Sequence, residues 1–163
     1  MTFEGYQKRV TLSFRVLQTL RRFEQKNNKN EAGGILLGKV YQDIILMEKV
    51  TVPGLYDKFG RYYYIRSKKT AQRVINKFWE SSNGRTIYLG EWHTHPVMNP
   101  TPSPQDRKMI KKCLKSTKME IEFLILIIVG LSESIWVGIQ TNDTLIKLSL
   151  SEVNSAQNSK SIL

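Results

Sequence analysis

The chain has a single cysteine, Cys113, and only two histidines, His93 and His95. One thiol excludes an intrachain disulfide and fits a reducing compartment, so a cytoplasmic location is expected. It also excludes every zinc site built on a cysteine pair, including that of the zinc deaminases. A cysteine nucleophile needs a histidine of its own, so Cys113 is read as an ordinary helix residue. Long apolar runs are missing too. The longest, Phe123 to Val129, has 7 residues, against roughly 20 needed to span a bilayer. Met1 to Val10 is polar, so neither a signal peptide nor a membrane partner is expected. Acidic residues are few: 14 Asp and Glu against 25 Lys and Arg leave a formal charge of +11. Such a charge favours acidic partners. The cations are nevertheless scattered through Arg21-Arg22, Lys68-Lys69, Lys108, Lys111-Lys112 and Lys115. Without a basic run or an aromatic-interleaved motif, no specific nucleic-acid readout is expected. The sequence contains no H-E-x-x-H, which excludes a zincin. At 163 residues it is also too short for a barrel amidohydrolase, which needs about 250.

What remains is one domain with a core of its own, expected over residues 1–150, followed by a Ser/Asn-rich tail over 151–163. A first strand ends near Thr11-Leu12. Ser13 then caps a helix over Phe14 to Gln25, with Phe14, Leu17, Leu20 and Phe23 as its apolar stripe. Strands follow at Gly33 to Leu37 and Ile44 to Val52. Pro53 to Gly60 reads as a loop of unreadable purpose, and Arg61 to Ile65 as a strand. Ser67 caps a helix over Lys68 to Ser81. Its Ala71, Val74, Ile75, Phe78 and Trp79 recur at helical spacing and are expected in the core. A strand over Thr86 to His95 leads through a proline-stiffened loop, Pro96 to Pro102, into a helix opened by Ser103. The buried strand Ile121 to Val129 and a hairpin of Ile135 to Ile139 with Thr144 to Leu150 complete the chain. This order predicts a mixed α/β fold around one sheet.

Chemistry concentrates in Gly90 to Asp106, G-E-W-H-T-H-P-V-M-N-P-T-P-S-P-Q-D. Residues i and i+2 of a strand share a face, so His93 and His95 can aim two imidazoles at one point. Asp106, eleven residues after His95, can return a carboxylate there. Two imidazoles and a carboxylate leave one tetrahedral position open, the ligand set of a catalytic Zn2+ site. Local geometry also brings forward Glu91, two residues before His93 and on the same face, as a base or an extra ligand.

The pattern H-T-H-x7-S-x2-D, preceded by E-A-G-G-I-L-L-G at Glu31 to Gly38, resembles the JAB/MPN metalloprotease family and its zinc signature, called JAMM. Every fixed position of that signature is met, and G-E-W-H-T-H-P followed by P-x-P-S is similar to its small prokaryotic branch. The resemblance implies a curved mixed β-sheet flanked by helices, of cytidine-deaminase-like architecture. It implies His93, His95 and Asp106 as Zn2+ ligands, Glu31 as general base, and Ser103 as the hydroxyl assisting the oxyanion. Glu91 then orients a ligand from behind or meets substrate. The implied activity is hydrolysis of an amide at the C-terminus of a ubiquitin-like or similarly conjugated protein. In the bacterial-defence branch, as in cyclic-oligonucleotide antiphage systems, the conjugated tail belongs to a nucleotidyltransferase. Two other readings stay open: a non-catalytic MPN-type scaffold, and a RadC-like nucleic-acid-associated protein.

Overall fold

The computed structural model describes residues 1–118 and 120–151. Apart from Ser151, the expected tail lies outside the described residues. The elements are β1 (Thr2–Gly5), β2 (Lys8–Leu12), α1 (Phe14–Arg22), β3 (Gly33–Tyr41), β4 (Ile44–Val50), β5 (Lys58–Gly60), β6 (Tyr63–Ile65) and α2 (Lys68–Ser81). They continue with β7 (Ile87–Thr94), α3 (Pro104–Ser116), β8 (Leu124–Val129), β9 (Ile135–Gln140), β10 (Leu145–Lys147) and β11 (Ser149–Leu150).

Nine strands form one mixed sheet in the order β10-β9-β8-β7-β3-β4-β2-β1-β11, while β5 and β6 pair separately. Among the described residues, only β2 with β4 and β7 with β8 run parallel. One face of the sheet packs Val16 and Leu20 of α1 with Leu36, Leu89, Trp92 and Ile127. The other packs Ala71 of α2 and Ile110 and Leu114 of α3 with Ile35, Leu37 and Ile128. The sheet is therefore covered on both sides. That is why β8, L-I-L-I-I-V, is apolar at every position and buried throughout. Fully burying each such side chain stabilises the fold by about 1.5–3 kcal/mol before conformational entropy is counted.

Ser13, Ser67 and Ser103 cap their helices through side-chain oxygens, as expected. Elsewhere the boundaries shift. The chain opens on a β1–β2 hairpin where a single strand was expected. Its turn residues Tyr6 and Gln7 adopt φ of 52° and 53°, a geometry normally signalled by Asn-Gly. Helix α1 stops at Arg22 rather than Gln25, because Glu24 and Gln25 leave the helix to make buried polar contacts. Lys58–Gly60, expected as loop, is the first arm of a hairpin with β6. The last hairpin splits at Leu148: β10 pairs with β9, but β11 pairs with β1. Trp79 is 54% exposed rather than in the core. Lys49 instead covers the neighbouring Phe78 ring at 5.0 Å.

The strand that carries the histidines needs one irregularity. Between β3 and β7 the register shifts so that Leu36 faces Gly90 and Leu37 faces Tyr88, leaving Leu89 as an extra residue. Gly90 adopts φ of 146°, and a Cβ there would lie 1.8 Å from the Ile125 carbonyl oxygen. Only glycine fits this bulge. Beyond it, Trp92 turns to the α1 face, while Glu91 and His93 turn towards α3.

Candidate active site

The site lies at the C-terminal end of β7, beside the start of α3. His93 pairs in register with Gly33 of β3 and Ile128 of β8, so the sheet holds it from both sides. His95 lies one residue beyond β7, with its N–H donating to the Val129 carbonyl at 2.9 Å. Asp106 arrives on the first turn of α3 in a capping box. The Ser103 N–H donates to Asp106 Oδ2 at 2.7 Å, and the Asp106 N–H donates to Ser103 Oγ at 3.2 Å. Ser103 Oγ thus accepts one bond and keeps its own proton to donate.

The three predicted ligand residues meet. His93 Nε2 is 3.1 Å from Asp106 Oδ1, His95 Nε2 is 3.3 Å from Asp106 Oδ2, and the two Nε2 atoms are 3.2 Å apart. A tetrahedral zinc with bonds of about 2.0–2.1 Å has ligand edges of roughly 3.3 Å. The spacing fits. The donor chemistry fits as well, because two imidazole nitrogens turned towards each other and a carboxylate satisfy one another only through a shared cation or proton. Among the described residues these three form the group able to hold a metal ion. Burial raises the pKa of Asp106, but hydrogen bonds from His93 and His95, their charge and the Ser103 N–H outweigh it. The carboxyl is held well below the usual carboxylate range.

Glu31 stands just before β3, half-buried. Its N–H donates to the Gly60 carbonyl at 2.8 Å. The neighbouring Ala32 is fixed to the middle of the histidine triplet: the Thr94 N–H donates to the Ala32 carbonyl at 2.9 Å, and the Ala32 N–H donates to Thr94 Oγ1 at 3.0 Å. Burial pushes the Glu31 pKa up. His93 and His95 pull it back, Asp106 raises it further, and the net direction is upward. All three candidate ligands therefore act electrostatically on this one carboxyl.

Glu91, the other sequence candidate, is occupied elsewhere. Arg66 Nε donates to both its oxygens at 2.9 Å, Arg66 Nη2 adds a bond of 2.6 Å, and the Tyr88 hydroxyl donates to Oε1. Cys113 Sγ lies 3.9 Å from the same oxygen. Glu91 shares the α3-facing side with His93, as strand geometry requires, but its partners pin α2 and α3 to the sheet.

The β5–β6 hairpin stands over Glu31. A Cβ on Gly33 would lie 2.4 Å from the Tyr64 ring and 2.6 Å from the Trp92 carbonyl oxygen, so glycine lets the hairpin close onto the strand. Asp57 ties the hairpin base together. Its oxygens accept from the Gly54 N–H at 2.8 Å, the Tyr64 hydroxyl at 2.7 Å and the Ser67 N–H at 2.7 Å. Burial raises its pKa, but these bonds prevail and lower it. Sequence reasoning missed Asp57, Tyr64 and Arg66: Asp57 fell in the segment read as loop, Tyr64 in a short strand and Arg66 just after it, and nothing local announces a clamp.

A sheet delivering two imidazoles and a helix-borne carboxylate to one point, with a desolvated glutamate beside them, defines an α/β scaffold built around a candidate metal centre. Residues 14–139 match the model of prokaryotic homologs of the JAB domain, and the chain belongs to that family. It is 30% identical over 146 residues to a protein of Escherichia coli, covering 89% of this chain and 90% of that one. It is 42% identical over 92 residues to one of Pseudomonas aeruginosa, covering 56% and 58%, so the match spans little more than half of that relative. A third, from Vibrio cholerae, is 33% identical over 108 residues, covering 66% of each. All three relatives are named CD-NTase/cGAS isopeptidase. The fold is similar to the solution structure of protein DSY2949 from Desulfitobacterium hafniense, with a TM-score of 0.59 at 21% identity over 85% of this chain and 88% of that one. No helix among the described residues is long and apolar enough to cross a membrane.

Proposed function

We propose that the protein is a zinc-dependent isopeptidase. It hydrolyses the amide bond that joins the C-terminus of a conjugated protein, here a CD-NTase of a bacterial antiphage system, to an amine of its target. The observation that carries this reading is the convergence of His93, His95 and Asp106 at 3.1–3.3 Å near the half-buried carboxyl of Glu31. The isopeptidase names of the relatives supply the substrate class.

His93, His95 and Asp106 would hold the metal, with both imidazoles neutral and Asp106 ionised. When bound, zinc supplies Lewis acidity towards the scissile carbonyl and the attacking water. Glu31 takes a proton from that water as its oxygen bonds to the carbonyl carbon, and gives it to the leaving nitrogen as the C–N bond breaks. The Ser103 hydroxyl, anchored as helix cap, donates to the carbonyl oxygen as negative charge develops there. Domain 1–150 carries all of this chemistry. The intact donor set speaks against a scaffold role.

Substrate is held by the hairpin. The β5–β6 pair lies outside the main sheet, so an extended tail can add to its free edge and gain main-chain hydrogen bonds. Leu55, Tyr56, Phe59, Tyr62 and Tyr63 are exposed on this segment, and Val97 and Met98 are exposed on the loop that follows His95. Pro53 to Tyr64 and Pro96 to Pro102 are the candidate walls for such a tail.

The test is a fusion series in which one conjugated protein, varied C-terminal tails and varied downstream proteins are combined. Cleavage immediately after the tail is expected. It should be lost on tail truncation or with a bulky last residue, and be indifferent to what lies beyond the bond. Equal cleavage of unrelated unfolded peptides would instead mark a general peptidase.

A further inference from the structure

Gln25 is 1% exposed and Thr94 is fully buried, at 0%. A buried carboxamide must find partners for both its ends. Gln25 Nε2 donates to the Arg61 carbonyl at 2.6 Å and to the Lys29 carbonyl at 3.2 Å. Its Oε1 accepts from the Thr94 hydroxyl at 3.2 Å. The orientation of the amide is forced, since two carbonyl oxygens demand the NH2 end. Thr94 Oγ1 in turn accepts the Ala32 N–H at 3.0 Å. This one side chain therefore grips three segments: the turn of the β5–β6 hairpin at Arg61, the strand between the two histidines at Thr94, and the chain before Glu31 at Lys29. Lys29 and Ala32 bracket Glu31, and the Glu31 N–H is itself held by Gly60 of the same hairpin.

We infer that Gln25 is a positioning residue that, through Thr94, Lys29 and Arg61, fixes the backbone of Glu31 and seats the hairpin over the histidine pair. The catalytic role of Glu31 rests on the proposed function above; the bracing itself does not. Gln25 touches neither substrate nor the candidate metal ligands. It sets where the base stands, and a displacement of about 1 Å at a reacting group can cost up to 10²-fold in rate.

The experiment compares Gln25→Met, of similar length without polar ends, with Thr94→Val and the hydroxyl-keeping Thr94→Ser, all as the full chain. Backbone amide exchange is read first. In Gln25→Met the amides of Glu31, Ala32 and the hairpin should exchange at least about 5- to 10-fold faster, the worth of a single hydrogen bond, since the variant removes three. Those of Leu124 to Val129 should be unchanged. Turnover on the cleavable fusion is read next, per zinc-loaded molecule. The kcat should fall about 10- to 100-fold at unchanged zinc content, and Thr94→Ser should remain close to wild type while Thr94→Val falls with Gln25→Met. Should Gln25→Met not fold, the Thr94 pair decides by the same readouts. Uniform exchange changes across the sheet, an unchanged kcat, or equal defects in Thr94→Ser and Thr94→Val would overturn the inference. A wild type without peptidase activity would refute the proposed function, and the exchange pattern would still decide this one.

Discussion

Glu31 and Glu91 are the two glutamates that compete for the role of base beside His93 and His95, and exchanging each for glutamine separates their duties. Glu91 is the anionic half of a buried pair: its side chain is 7% exposed and that of Arg66 21%. The Glu91→Gln change leaves the guanidinium without its counter-charge after three bonds of 2.6–2.9 Å have held it. Breaking a buried pair on one side costs about 3–5 kcal/mol, a large share of the roughly 5–15 kcal/mol that stabilises a domain. For a chain of this size the melting midpoint should drop by roughly 6–20 °C. Activity per folded molecule should change by less than about tenfold, or ~1.4 kcal/mol of barrier. Glu31→Gln should do the reverse. Its carboxyl pKa is raised by burial, so the charged form carries a cost above that pKa which disappears below the ordinary one. Glutamine removes the cost, and the metal-free variant should melt no lower than wild type at neutral pH. Cleavage should nevertheless fall by at least about 10²-fold, the usual worth of a general base. Urea or thermal unfolding beside single-turnover cleavage of the fusion gives both numbers. If Glu91→Gln loses the activity and Glu31→Gln keeps it, the assignment of the base is wrong.

Replacing His95 with alanine should empty the metal site while the sheet core survives; full zinc occupancy by plasma emission would refute the ligand set. Gly33→Ala would place a methyl 2.4 Å from the Tyr64 ring and should destabilise by about 1–3 kcal/mol, with faster amide exchange at 58–65. An unchanged hairpin in that variant would show that Tyr64 does not pack on the strand. Burial and then the Glu91 charge push the Cys113 thiol up to about 11. Alkylation of the native protein should therefore stay slow at neutral pH and rise as pH approaches that value, and Cys113→Ala should cleave like wild type.

The sequence by itself determined the mixed α/β class, the three helix starts and the donor set. Serine caps and the period of α2 are local properties, and the H-x-H spacing projects two imidazoles from one strand edge whatever surrounds it. The structure brings His93, His95 and Asp106 within hydrogen-bonding distance of one another, as that spacing predicts. Other features depend on packing at a distance and left no local mark. The β1–β2 turn uses Tyr6 and Gln7 because the paired strands impose left-handed backbone on residues that carry no turn signal. The bulge at Gly90 puts Tyr88 and Glu91 on one face although simple alternation separates them, which is how the tyrosine reaches the carboxylate. Along the chain only the family resemblance separates Glu31 from Glu91; folding adds the physical difference, by bringing Arg66 onto Glu91. Gln25, which reads as the last turn of a helix, makes two of its three hydrogen bonds to segments brought near by folding alone, at Arg61 and Thr94. Spacing along the chain brings the two imidazoles and the carboxylate together as candidate ligands; the tertiary structure decides that Glu91 is bonded to Arg66 while Glu31 stands half-buried near them.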